Sequence, residues 1–147
     1  MQSIPNSTSQ LLFTKVKDGK NQILVLYNLL KKRKYNISHA SLPSFREHSE
    51  FVVNHPYREW FILYDANEPV GSFYIKNDNS IGINMLEQNP IYINMTIDFI
   101  KQNFKPNRVI ASVVPPYFYF NVSISNLGLR KILENSKLKP IQTSYRF

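Results

Sequence analysis

The fold of this chain is decided by residues 81–104, which read IGINMLEQNPIYINMTIDFIKQNF. The first part is typical of a strand, and Met95, Ile97 and Ile100 supply the apolar spacing of a helix. The polar Gln88 and Asn89 form a short loop between them. A helix that starts this way can hold a phosphate, because its free N–H groups and its dipole attract anions. The loop lacks the glycines that would let a phosphate approach the backbone closely.

The composition indicates a single globular domain. The chain has 147 residues, of which 43% are hydrophobic and 14% aromatic, enough for a core. The absence of cysteine excludes disulfides and thiolate metal sites and suits a cytoplasmic protein. No apolar run approaches the roughly 18 residues of a membrane span, so we expect no membrane partner. Residues 1–9 are expected to be a loose tail and residues 10–147 one domain.

The formal net charge of +8 favours anionic partners. The one basic run, Lys31-Lys32-Arg33-Lys34, is either a solvated helix end or an anion patch. Basic and aromatic residues are not interleaved as in nucleic-acid binding motifs, which argues against nucleic acid as the partner.

The periodicity of the chain predicts an α+β fold. The predicted elements are strands at 11–16, 60–64, 71–76, 80–86, 109–114, 131–134 and 142–147, and helices at 22–32, 43–54 and 91–104, with a short helix within 117–127 that ends at Gly128. The order β-α-α-β-β-β-α-β-α-β-β makes a mixed, mostly antiparallel central sheet of six to seven strands flanked by helices. The helix between the fourth and fifth strands makes that pair parallel.

Several short segments match one family in order and spacing. They are WFILY at 60–64, EPVGSFYI at 68–75, NSIGI at 79–83, ASVVP at 111–115, LGL at 127–129 and the closing segment 142–147. Together they resemble the GNAT superfamily of N-acetyltransferases, over residues 10–147. Within it, Ile37-Ser38, Glu47-His48, Phe51 and the segment 56–60 are similar to acetyltransferases of amino sugars in nucleotide-sugar pathways.

The chain departs from the family pattern at three places. The family's loop Q/R-x-x-G-x-G/A becomes Gln88-Asn89-Pro90-Ile91-Tyr92-Ile93, with isoleucine at both small positions. The family's Asn and Ser after the fifth strand become Tyr117 and Phe120. The tyrosine that protonates the leaving thiolate in many members is Ile124 here. The first two departures weaken cofactor binding, and the third weakens acid catalysis.

The resemblance implies transfer of an acetyl group from acetyl-CoA, the cosubstrate, to the primary amine of a small substrate, with a nucleotide-linked amino sugar as one candidate. The main chain of Met85 and Leu86 would contact the pantetheine and the developing oxyanion. The residues that would ring the pyrophosphate are Gln88, Asn89, Ile91, Tyr92, Ile93 and Asn94. The alternative is an ordinary turn with two isoleucines packed into the core.

Four residues are candidates for catalysis. His48 and Glu47 are potential bases on the acceptor side, and Asn84 could orient a water or the amine. Tyr117, or Tyr119, could replace the missing acid. Each also has a structural alternative: a half-buried helix residue for His48, a solvated helix residue for Glu47, a surface strand residue for Asn84 and aromatic packing for Tyr117. No metal ligands are predicted.

Two functions therefore stay open. One is an acetyl-CoA-dependent N-acetyltransferase whose partner is a small amine, and the other is a catalytically inactive binding or assembly module of the same fold. A homodimer is compatible with either function.

Overall fold

The computed structural model describes residues 10–34 and 41–147, which contain five strands and four helices. The tail at 1–9 and the Ile37-Ser38 match lie outside the described residues. No helix within these ranges is long and apolar enough to cross a membrane. The elements are β1 Leu11–Lys15, α1 Lys20–Lys31, α2 Phe45–Val53, β2 Glu59–Asp65, β3 Glu68–Ile75, β4 Ser80–Met85, α3 Pro90–Asn103, β5 Tyr119–Phe120 and α4 Leu127–Asn135.

The sheet has the spatial order β1-β2-β3-β4-β5. β1 to β4 form an antiparallel meander, and β4 pairs with β5 in parallel across the α3 crossover. The turns of the meander place Ala66, Asn67 and Asn79 at positive φ, a conformation that asparagine tolerates better than most residues. The predicted α+β class and the meander are confirmed. A strand after α3 does pair in parallel with β4, but it is not the predicted segment 109–114.

The helices cover both faces of the sheet. α1 and α2 pack on one face, where Leu26, Leu29 and Val52 meet Trp60 and Ile62. α3 and α4 cover the other face, with Ile93, Ile97, Ile100, Leu129 and Leu133 buried against the apolar side chains of β2 to β5. Strand residues that alternate in direction therefore contribute to apolar clusters on both faces of the sheet.

The predicted fifth strand is wrong. Residues 109–114 form a turn closed by one bridge between Ile110 and Val114, and Val113 is 67% exposed. The place beside β4 is taken by Tyr119–Phe120, which lies in the segment predicted to form a short helix. An apolar run predicts burial only if a neighbouring strand accepts it, and here Ser112 turns the chain at φ 65° before the run can pair.

The end of the chain also differs from the prediction. α4 begins beside Gly128 instead of ending there, and it includes residues 131–134, which we expected as a strand. Leu129 and Leu133 lie four residues apart and are both buried, which is helical spacing. Residues 142–147 do not pair with the sheet and are exposed. The described sheet therefore has five strands, not six or seven.

A buried asparagine fixes β5 to the start of β4. The Asn79 side chain is fully buried at φ 71°. Its Nδ2 donates to the carbonyls of Asn107 (3.1 Å) and Pro115 (2.9 Å), and its Oδ1 accepts from the Asn107 N–H (2.6 Å). The backbone carbonyl of Asn79 accepts a hydrogen bond from the N–H of Tyr119, and this bond begins the pairing of β5. Asn79 therefore ties the segment between α3 and β5 to the β3–β4 turn.

We expect replacement of Asn79 to destabilise the fold. Asn79→Gly keeps the positive φ but leaves buried backbone groups without partners, at about 2–3 kcal/mol. Asn79→Ala should lose about 1 kcal/mol more, because alanine is strained at positive φ. Asn67→Gly is the control, since Asn67 has φ 68° but is exposed. The free energy of unfolding in urea measures all three, and equal stability of Asn79→Gly and Asn67→Gly would contradict the role of the side-chain bonds.

Candidate functional site

The second half of β4 has a free backbone edge. β5 pairs only with Ser80 and Ile81, and the last bond runs from the Asn121 N–H to the Ile81 carbonyl. In an antiparallel pair, alternate residues direct their N–H and C=O groups to one neighbour. The even-numbered residues of β4 face β3, so Ile83 and Met85 face the side that β5 has left. Their backbone groups have no partner in the described part of the sheet.

This free edge opens into a cleft of about 350 Å³. Small-molecule sites are typically clefts of a few hundred Å³. The lining combines the end of β4 with residues from both faces of the sheet: Arg33, Lys34, Ile83, Asn84, Met85, Leu86, Glu87, Gln88, Ile93, Asn126 and Leu129. Arg33 and Lys34 follow α1 on one face, whereas Ile93 and Leu129 belong to α3 and α4 on the other. The cleft is thus lined from both faces beside an unpaired strand edge.

The start of α3 is closed by its own residues. The isoleucine side chains do turn away from the loop, with Ile91 61% exposed and Ile93 fully buried in the core. Their N–H groups are nevertheless occupied: the Ile91 N–H donates to Asn89 Oδ1 (2.9 Å), and the Ile93 N–H donates to the Asn89 carbonyl. Pro90, at the first position of the helix, has no N–H. Among the described residues, Tyr92 is the member of this turn whose N–H has no partner.

Two other residues expected at the pyrophosphate use their side chains elsewhere. The Tyr92 hydroxyl donates to the Asp65 carboxylate, and this hydrogen bond raises the pKa of Tyr92. Asn94 Nδ2 donates to the Pro90 carbonyl within α3 (2.8 Å). Leu86, expected as an oxyanion donor, gives its N–H to the Val70 carbonyl. The free main-chain groups near the end of β4 are those of Ile83 and Met85.

Gln88 joins the loop after β4 to the start of α4. Its Nε2 donates to Asn126 Oδ1 (2.8 Å), and the same oxygen caps α4 by accepting from the Leu129 N–H. A Cβ on Gly128 would lie 3.3 Å from Gln88 Oε1, so a small residue suits this contact. Gln88 therefore holds together the two walls of the cleft that lie on the α3 and α4 face.

Of the four catalytic candidates, the structure places Asn84 in the cleft. Its Nδ2 donates to the Leu29 carbonyl (3.3 Å), near the end of α1 where helix carbonyls lack internal partners. Glu47 is exposed and accepts from Ser44 Oγ, as in a helix capping box. His48 is buried beside Tyr27. Tyr117 lies near the 109–116 turn, away from the cleft.

The matches at Tyr117 and Phe120 depend on a fifth strand at 111–115, and that segment is a turn. Phe120 belongs to β5 and packs into the core. The aromatic block is therefore mainly a packing element, with Tyr117 45% exposed.

Two polar cleft residues, Glu87 and Asn126, were not among the predicted site residues, and the role of Arg33 and Lys34 was left open. The basic run at 31–34 was a usable signal, because its last two members line the cleft. Burial lowers the pKa of Arg33, and the nearby hydroxyls of Tyr74 and Tyr57 oppose this effect. Nothing in the sequence around Asn126 distinguished it from other helix caps. Among the described residues, no group of three His, Asp or Glu side chains could hold a metal ion.

The buried histidine should make stability depend on pH. Burial lowers the pKa of His48 from its ordinary 6.5, with the Ile23 backbone opposing, and burial also lowers the pKa of His55. The unfolded state then binds more protons just below pH 6.5, so stability is full above this pH and falls as the solution becomes more acidic. Urea unfolding at pH 7.5 and 5.0 measures the loss. His48→Leu and His55→Leu should each reduce it, and a pH dependence unchanged in both variants would contradict this assignment.

Comparison with known proteins gives the fold. No family model and no curated protein matches the sequence. The structure is similar to that of a possible acetyltransferase from Clostridium difficile 630, with 11% identity and a TM-score of 0.59, over 93% of this chain and 96% of that chain. A predicted acetyltransferase with acetyl-CoA from Clostridium acetobutylicum has 13% identity and a TM-score of 0.49, over 94% and 96% of the two chains. The first similarity shows a shared fold, and the second is too weak to support an inference.

Proposed function

We propose that this protein is a member of the GNAT superfamily, an acetyl-CoA-dependent N-acetyltransferase that transfers an acetyl group to the primary amine of a small substrate. The observation that carries the proposal is the free backbone edge at Ile83 and Met85, which borders the cleft. The pantetheine arm of acetyl-CoA contains two amides, so it can pair with this edge as an added strand would. A nucleotide-linked amino sugar remains the finer candidate for the acceptor.

The reaction needs few side chains. The amine nitrogen attacks the thioester carbonyl carbon and a C–N bond forms. The C–S bond then breaks, and the leaving thiolate takes the proton that the attacking nitrogen loses. The Met85 N–H points to the free side and is placed to donate to the oxygen that gains negative charge. Glu87 is the carboxylate that lines the cleft and would accept the ammonium proton. Asn84, whose side chain lies on the α1 face of the sheet, would position the amine.

The site fits the two ends of acetyl-CoA unequally. The strand edge fits the pantetheine, because unpaired N–H and C=O groups are available there. The start of α3 fits the pyrophosphate poorly. Asn89 already accepts from the Ile91 and Ile93 N–H groups and Pro90 has no N–H, so the Tyr92 N–H is the donor left in this turn among the described residues. We therefore expect the pyrophosphate to contribute less to binding here than at a glycine-rich helix start.

A second candidate rests on the same closed turn. A module that binds no acyl-CoA has no use for free N–H groups at α3, and a proline with a side-chain cap stabilises the helix instead. This candidate is the catalytically inactive binding or assembly module. It predicts that acetyl-CoA neither binds nor is cleaved.

Calorimetry with two ligands tests the proposal. Acetyl-CoA and S-acetylpantetheine should bind with dissociation constants within about tenfold of each other, equivalent to about 1.4 kcal/mol, because the pyrophosphate is weakly held. Asn89→Gly frees the Ile91 N–H, and Pro90→Ala restores an N–H at position 90. Each substitution should tighten the binding of acetyl-CoA but not that of S-acetylpantetheine. Pro106→Ala, beyond the end of α3, is the matched control. Absence of binding by both ligands at millimolar concentration would refute the proposal.

Turnover separates the enzyme from the inactive module. Release of free thiol from acetyl-CoA should depend on an added primary amine, and Glu87→Gln should lower kcat/KM about a hundredfold if the carboxylate is the base. Glu134→Gln, which removes the same charge outside the cleft, should leave the rate unchanged. The absence of both acetyl-CoA binding and amine-dependent thiol release would favour the inactive module.

A further inference from the structure

Arg33 lies at the wall of the cleft and forms no ion pair with the residues that the structure describes. It follows the last residues of α1, and its Nε is buried with no hydrogen-bond partner among the described residues. The ion pairs of the described residues join Lys15 to Glu59 and Arg46 to Glu50, so Arg33 takes part in neither. The segments 1–9 and 35–40 contain no Asp or Glu. The chain therefore offers Arg33 no carboxylate from the parts that are not described.

Two tyrosines influence Arg33. Tyr57 and Tyr74 stack with ring centroids 3.9 Å apart, and both oppose the lowering of the Arg33 pKa. Gly82 lies under the Tyr74 ring, where a Cβ would overlap a ring atom. Burial raises the pKa of both tyrosines, so they remain neutral at physiological pH. Neither tyrosine therefore supplies Arg33 with a negative charge.

A partly buried guanidinium in such a place favours an anionic ligand. Arginine is rarely buried without a partner, because its charge loses hydration that nothing replaces. A carboxylate or a phosphate replaces that hydration with charge-assisted hydrogen bonds, and the planar guanidinium matches both groups. Lys34 lines the same cleft and adds a second positive charge.

We infer that Arg33, assisted by Lys34, binds an anionic group, either a carboxylate or a phosphate, on the acceptor amine. This inference rests on the proposed acetyl transfer and names the class of acceptor: an amine that carries a negative charge. Glu87 lines the same cleft, so the cleft offers opposite charges to the ammonium and the anion of one molecule. The acceptor then approaches from the α1 face, whereas Ile93 and Leu129 line the other face.

Anion binding can be tested without acetyl-CoA. Backbone amide shifts would be followed by NMR during titration with inorganic phosphate and, separately, with acetate, at constant ionic strength set by sodium chloride. We expect shifts near Arg33 and Leu86 with millimolar affinity, and at least a tenfold loss of affinity in Arg33→Gln. Arg108→Gln removes the same charge from an exposed residue outside the cleft and should bind as the wild type does. Equal binding by the two variants, or no binding by the wild type, would overturn the inference.

Matched acceptors test the class of substrate. β-Alanine and propylamine differ in a carboxylate, and O-phosphoethanolamine and ethanolamine differ in a phosphate. Arg33→Gln should raise KM at least tenfold for the charged member of the preferred pair and should leave the neutral amine unchanged. Arg33→Lys, which keeps the charge, should recover part of the effect. Equal effects on charged and neutral amines would contradict the inference.

The two experiments separate this inference from the proposed function. Acetyl-CoA turnover with no preference for charged acceptors would remove the inference and keep the enzyme. Phosphate or acetate binding at Arg33 without acetyl-CoA binding would remove the enzyme, and the inferred acceptor with it, and would leave an anion-binding cleft.

Discussion

The site depends on the hydrogen bonds of one buried side chain, Asn79. The side-chain amide of Asn79 holds the chain that leaves α3. The backbone carbonyl of the same residue starts the pairing between β4 and β5. This position fixes β5 to the beginning of β4, where only two residue pairs form. The remaining edge of β4 is left without a neighbour as a consequence. A register that began further along β4 would cover Ile83 and Met85 and close the cleft.

The start of α3 shows a choice between helix stability and anion binding. A proline at the first position and an Asn cap stabilise the helix, but both remove N–H groups that an anion could use. The isoleucines of this turn do not close it through their side chains, because Ile91 and Ile93 both point away from the loop. The turn is closed through the backbone donors, which the helix consumes itself.

The sequence predicted those parts of the fold that depend on local pattern. The meander has short turns rich in Asn and Asp, and α3 has apolar residues at helical spacing, so both were predicted closely. The segment 109–114 was not, because an apolar run does not reveal whether a neighbouring strand will accept it. The same holds for the site. Asn84 and Gln88 lie on or beside predicted elements that line the cleft. The position of His48 outside the cleft and the exposure of Arg33 to it depend on how α1 and α2 pack, which local pattern does not reveal.

The cleft separates two kinds of recognition. Along β4 the available groups are neutral peptide units, which bind through direction and distance and respond little to salt. On the α1 face they are Arg33 and Lys34, whose attraction for an anion is screened by salt to the extent that the site is exposed. A glycine-rich helix start would direct positive charge at a pyrophosphate. In this cleft the positive charge lies instead on the side chains of Arg33 and Lys34, at the α1 face. If acetyl-CoA binds, its neutral arm is recognised by the strand edge, and the net charge of the cleft is left to select the acceptor.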